Sequence, residues 1–122
     1  MTNCQSHEDG SLGEDELRFL SRRARGGFGI VTTCASHVSL DGKGFPGQLG
    51  VFDDSLLPGL ERVARAIREN EALGLVQIYH GGIRALEPRD WVATASEEDL
   101  ARVIDDYASV RWLCALRNCV SR

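Results

Sequence analysis

Residues 26–38, reading GGFGIVTTCASHV, constrain the fold more than any other stretch of the chain. Two glycines suited to ending a helix precede residues 28–33, which are short, apolar and β-branched: too brief for a helix and right for a buried strand. Thr33, Cys34, Ala35 and Ser36 sit where such a strand would end, and their small side chains let a flat ligand approach the backbone. In α/β proteins with parallel strands, that carboxyl end is where ligands bind.

The flanking sequence supports a parallel arrangement. Leu17, Leu20 and Ala24 share one helical face, Glu14, Asp15 and Glu16 place negative charge in the first turn, and Gly26 and Gly27 stop the helix. Residues 34–57 form a glycine-rich connection, long enough to indicate a functional or mobile loop, with residues 48–52 as its one short candidate element. A second helix begins around Pro58, carries Leu60, Val63, Ala64 and Ile67 at helical spacing, and is expected to end near Glu71. LGLVQIY, residues 73–79, then reads as a second strand, apolar enough to be covered on both faces. Two such strands joined through a helix make a right-handed parallel βαβ unit.

After an irregular segment around Pro88, Ser96 with Asp99 forms a weak capping box. It opens a third helix with Leu100, Val103, Ile104 and Tyr107 on its apolar face, continuing to about Leu116. Alternation of this kind defines an α/β class with a parallel sheet. Two strands leave both sheet edges open, so the expected unit is part of a domain, with self-association through those edges as a consequence.

Composition excludes several functions. The net charge is −4 and the fourteen basic residues are scattered, which makes nucleic acid and anionic membrane poor partners. MTNCQSHEDG lacks the basic and apolar regions of a secretory signal, and the chain has no long apolar run, so a cytoplasmic protein with reduced thiols is expected.

Two groups of residues invite chemical readings. Gln77 places a carboxamide, donor and acceptor together, in an apolar strand; it either bonds neighbouring backbone or pairs with a ligand offering both edges, such as a flavin pyrimidine ring. Cys4 with His7 and Cys34 with His37 form two C-x-x-H pairs, chemically a zinc ligand set but not a standard zinc spacing; loop packing is the alternative. No phosphate loop of dinucleotide or P-loop type and no G-x-S-x-G elbow is present.

Taken in order, MTNCQSHEDGSLGEDELRFLSRRARGGFGIVTTCASHV, GKGFPGQLGVFDDSLLPGLERVARAI and VQIYHGGIRA resemble the N-terminal part of the old yellow enzyme family. The likeness rests on Met-Thr-Asn, a helix ending Arg-Ala-x-Gly-Gly, Ala-Ser-x-Val after the strand, Leu-Gly-x-x-Asp-Asp, and Gln-x-x-His-x-Gly. It implies part of a TIM (β/α)8 barrel with about two parallel strands and three helices. It also implies FMN as cofactor, NAD(P)H as hydride donor and a small-molecule substrate such as an activated alkene. By motif position, Met1 and Thr2 resemble residues lying against the flavin, Ala35 one whose backbone meets the ring, and Gln77 the amide that bonds the pyrimidine. Cys4 stands where some members carry a substrate-contacting tyrosine.

The family's first strand would precede Met1, and SVRWLCALRNCVSR does not resemble the family. Residues 1–108 are therefore expected to form a partial FMN-binding barrel and residues 109–122 a non-family tail. A barrel typically needs about 250 residues. The expectation is a truncated or frameshifted product with little activity alone, the alternatives being a non-catalytic fragment and a small metal-binding module.

Overall fold

The computed structural model describes residues 2–115. The elements are α1 (Glu14–Arg25), β1 (Ile30–His37), α2 (Leu57–Arg68), β2 (Leu73–Tyr79), a short α3 (Trp91–Thr94) and α4 (Glu97–Ala115). The two strands pair in parallel as neighbours in one sheet, with α2 as the crossover, so the βαβ unit read from the sequence is present.

The ends of α1 follow their chemistry. Acidic residues occupy its first turn and arginines its last, each complementing the helix dipole. The Gly26 N–H then returns to the carbonyls of Arg22 and Arg23, and Gly27 takes φ +92°, a left-handed conformation that costs glycine little. Pro58 stands in the first turn of α2. That helix ends at Arg68, three residues before the expected Glu71, because Glu71 adopts φ +58° and turns the chain into β2. At the start of α4 the Ser96 hydroxyl accepts from the Asp99 N–H while the Asp99 carboxylate accepts from Ser96 N–H, completing the box.

One core lies between the sheet and the first two helices, where Leu20 and Ala24 of α1 meet Val31 of β1, Val63 and Ile67 of α2, and Leu12, Leu49 and Ala72. Each fully buried aliphatic side chain there contributes about 1.5–3 kcal/mol. A smaller cluster of Val38, Val51 and Val110 docks α4, with Val76 and Tyr107 beside it.

Two expectations about the strands are corrected. First, β1 does not stop at residue 33; it runs to His37, taking in Thr33, Cys34, Ala35 and Ser36. Its end is held by a further piece of chain, since His37 N–H donates to the Leu49 carbonyl and Val51 N–H to the His37 carbonyl, forming a parallel bridge to Gly50. Second, the sheet is not covered on both faces. Gly74 and Val76 lie toward the packed interior, with the Gly74 position against Ile67, whereas the alternate residues Leu73 and Leu75 are 46% and 45% exposed. Phe28 and Ile30, expected to be buried, are 63% and 58% exposed. The open face is the one that the interior of a closed barrel would cover.

Candidate functional site

The carboxyl ends of β1 and β2 form a rim. Val38 N–H donates to the Tyr79 carbonyl, and beyond it the two following loops are tied, Gly81 N–H to the Gly42 carbonyl at 2.7 Å and Leu86 N–H to the Lys43 carbonyl at 2.8 Å. Gly42 must be small here, because a Cβ on it would lie 2.5 Å from the His80 ring. His80 accepts the Gly82 N–H on Nδ1, and its Nε2 points toward Asp41 Oδ1 at 3.8 Å, beyond hydrogen-bond reach. Asp41 in turn receives Arg102 of α4 at 2.6 Å. Burial alone would raise the Asp41 carboxyl, but hydrogen bonds from Ser39 and Arg102 hold it below its ordinary value.

Ala35 and Gln77 are register partners across the sheet. Ala35 is buried and the Gln77 side chain is exposed, on the same alternating set as Leu73 and Leu75. The carboxamide therefore stands at the open face, where it was expected to need satisfaction inside an apolar strand. Thr2 is exposed at the start of the described chain, and Met1 lies outside the described residues. Cys4 is exposed with φ +50°.

The zinc reading does not survive the geometry. Among the described residues, no group of three or more His, Cys, Asp or Glu is placed to hold a metal ion. Cys4 and His7 are exposed, whereas Cys34 and His37 are buried in β1. The His37 Nδ1 bonds the Ser39 carbonyl at 2.9 Å, and its ring lies against Phe52 with centroids 4.9 Å apart. Burial pushes the His37 imidazole down and the Cys34 thiol up, Glu16 adding to the latter, so both favour their neutral forms.

Two residues that sequence reasoning passed over hold the rim in place. Gln48, 0% exposed, donates from Nε2 to the Ala35 carbonyl at 2.9 Å and accepts the Gly44 N–H on Oε1 at 2.7 Å. A polar side chain between the apolar Leu49 and a glycine in a loop gave one signal, its place in GQLG, and that pattern has no helical or strand period. Glu16, also 0% exposed, accepts from the Ser6 hydroxyl, which itself accepts the Gly13 N–H at 3.3 Å. The pair is a relayed form of a capping box, and it clamps the N-terminal segment onto α1. Glu16 stands in the acidic first turn read from the sequence, and its third position in the helix turns it inward.

Small residues and a carboxamide thus stand toward the carboxyl ends of two parallel strands, the end at which TIM barrels bind their ligands. Comparison with known proteins gives the family and the fold. The model of the NADH:flavin oxidoreductase / NADH oxidase family matches residues 1–111, and the chain belongs to that family. It is 46% identical over 83 residues to the probable NADH-dependent flavin oxidoreductase YqiG of Bacillus subtilis (strain 168), covering 68% of this chain and 22% of that protein. It is 32% identical over 89 residues to the NADH:fumarate oxidoreductase of Klebsiella pneumoniae (strain 342), covering 73% of this chain and 9% of the relative. Among solved structures, a 2-naphthoyl-CoA reductase superposes with TM-score 0.84 at 25% identity, over 93% of this chain and 22% of that one. Old Yellow Enzyme from Pichia sp. AKU4542 does so with TM-score 0.83 at 12% identity, over 98% of this chain and 38% of that one, and shows the fold. The chain thus spans less than a quarter of the curated relatives it matches.

Proposed function

We propose that this chain forms one side of the mouth of an FMN-binding barrel, which passes hydride from NAD(P)H through the flavin to a small molecule such as an activated alkene. The observation that carries the reading is the register pairing of Ala35 with Gln77 at the ends of two parallel strands, beside an open face. Donor chemistry fits the group: a carboxamide offers one donor and one acceptor to the pyrimidine edge, and Ala35 offers backbone without bulk. Met1 and Thr2 would lie against the ring and Cys4 near substrate, each by motif position. When bound, the flavin supplies the hydride chemistry; these residues position it and exclude water.

The proposal extends to organisation and location. Residues 1–108 are the cofactor-binding portion, and the family match ends at residue 111. Alone, such a chain is expected to turn over little substrate. No helix among the described residues is long and apolar enough to cross a membrane, which is compatible with a cytoplasmic site of action.

The test is a titration of FMN with the 122-residue chain, followed by quenching of flavin fluorescence and by the shape of the flavin absorbance band. Saturable binding that weakens about tenfold in Gln77→Leu is expected from the loss of a paired donor and acceptor. No binding, or equal binding by both proteins, would count against the assignment.

A second reading is favoured by the exposed Phe28, Ile30, Leu73 and Leu75. Apolar residues on an unpaired sheet are a template for self-association. Light scattering after size exclusion would report a concentration-dependent mass if this surface pairs, and a constant monomer mass if it does not.

A further inference from the structure

The strands do not run in uniform register. Thr32 pairs with Leu75 but Ala35 pairs with Gln77, so Thr33 and Cys34 together oppose the single residue Val76. That is a β-bulge, a device that re-aims the side chains beyond it. Without it, each residue after Thr32 would stand opposite a different partner, and Ala35 would not be beside Gln77.

A bulge disrupts the ladder locally, where a side chain can add a bond across the strands. Here the Gln77 N–H donates to the side chain of Thr33, whose Oγ1 lies 3.1 Å away. The same hydroxyl donates to the Cys34 carbonyl at 2.9 Å and lies 3.2 Å from the Ser36 hydroxyl, which also bonds that carbonyl at 2.9 Å. Thr33 and Ser36 are buried, so water does not substitute readily for either. A threonine side chain thus adds a bond across the two strands within the bulge.

We propose that Thr33 is a positioning residue: its hydroxyl, by accepting the Gln77 N–H across the bulge, fixes the register that sets Ala35 beside Gln77 on the cofactor rim. The role deepens the flavin-binding reading and rests on it for its functional meaning. Its action is through Gln77 and Ala35, not through contact with cofactor.

The experiment compares Thr33→Val, which keeps the branched shape and removes the hydroxyl, with Thr33→Ser, which keeps the hydroxyl. Amide hydrogen exchange is measured by NMR on the full chain without flavin, with the Val38 N–H, bonded to the Tyr79 carbonyl between the same strands, as internal reference. Thr33→Val is expected to accelerate exchange at Gln77 about tenfold more than at Val38, and Thr33→Ser to restore it. Equal acceleration at both amides, or failure of the serine to rescue, would overturn the proposal. Should the valine protein not fold, the serine protein decides: wild-type protection at Gln77 supports the hydroxyl's role, and its loss refutes it. FMN affinity is read on the same proteins afterwards. Absence of binding in the wild type would sink the cofactor reading, whereas the exchange result stands or falls separately.

Discussion

Gln48→Leu is the substitution whose cost can be worked most directly from the structure. The side chain is fully buried and makes two hydrogen bonds, to the Ala35 carbonyl and from the Gly44 N–H. Leucine fills a similar volume, so the change removes hydrogen bonds and little packing. Ala35 is buried, and its carbonyl left without a partner costs about 1–3 kcal/mol. Gly44 is half-buried, so water recovers part of its loss and the remainder is about 0.5–1 kcal/mol. Together these give a loss of about 1.5–4 kcal/mol, a large share of the stability of a small domain. With a urea slope of about 2 kcal/mol/M, the midpoint should fall by about 1–2 M at unchanged slope. Gln48→Glu refines the result. Above the carboxylate range it places a charge against the Ala35 carbonyl, while protonation restores a donor, so this protein should gain stability as pH falls from 8 to 5. A Gln48→Leu midpoint within about 0.3 M of wild type would refute the clamp.

Other consequences can be checked alongside. Arg102→Ala removes the bond from α4 to Asp41 and should cost about 0.5–1 kcal/mol, read as faster amide exchange in the first half of α4 than in α1. Acid should do the same, since Asp41 is held below its ordinary 3.8: its contribution is present above that value and is lost as pH falls below it through the folded-state value. His37 has the same sign for a different reason. Burial lowers its imidazole below 6.5, so the unfolded chain binds the proton first and stability declines as pH drops below 6.5. Thermal melts of His37→Gln between pH 7 and 5 should show a flatter dependence than wild type.

The parts of the fold set by local chemistry were legible in the residues. The glycine stop after α1, the proline in α2, the Ser96 box and the full extent of β2 all stand where short-range pattern placed them. The misread boundaries depend on distant partners. Cys34 to His37 look like loop because they are small and polar, and they are strand because Thr33 bridges to Gln77 and residues 49–51 bond His37. Burial was misjudged where neighbours are missing: apolar composition in β2 reports a covered face only if something covers it, and here Leu73 and Leu75 face outward.

Ala35 and Gln77 are singled out by motif order, and their pairing follows from parallel strands plus a bulge that no sequence period reveals. Gln48 and Glu16 were missed for a physical reason. Their burial is a property of how residues 5–13 and 39–57 fold back over the sheet, and polar residues in loops carry no amphipathic signal. The paired C-x-x-H spacing misled in the opposite direction, because the end of β1 is covered on both faces, so that Cys34 and His37 are both buried while Cys4 and His7 stay in solvent.

The most direct test of the cofactor rim is a map of backbone amide shifts on titrating the isotopically labelled chain with FMN. Perturbations gathered at Ala35, Gln77 and the segment beginning at Thr2, with little change at Ile30 and Leu73 on the opposite end of the strands, are expected. Shifts centred on Ile30 and Leu73, or none anywhere at saturating flavin, would contradict a mouth built at the carboxyl ends of these two strands.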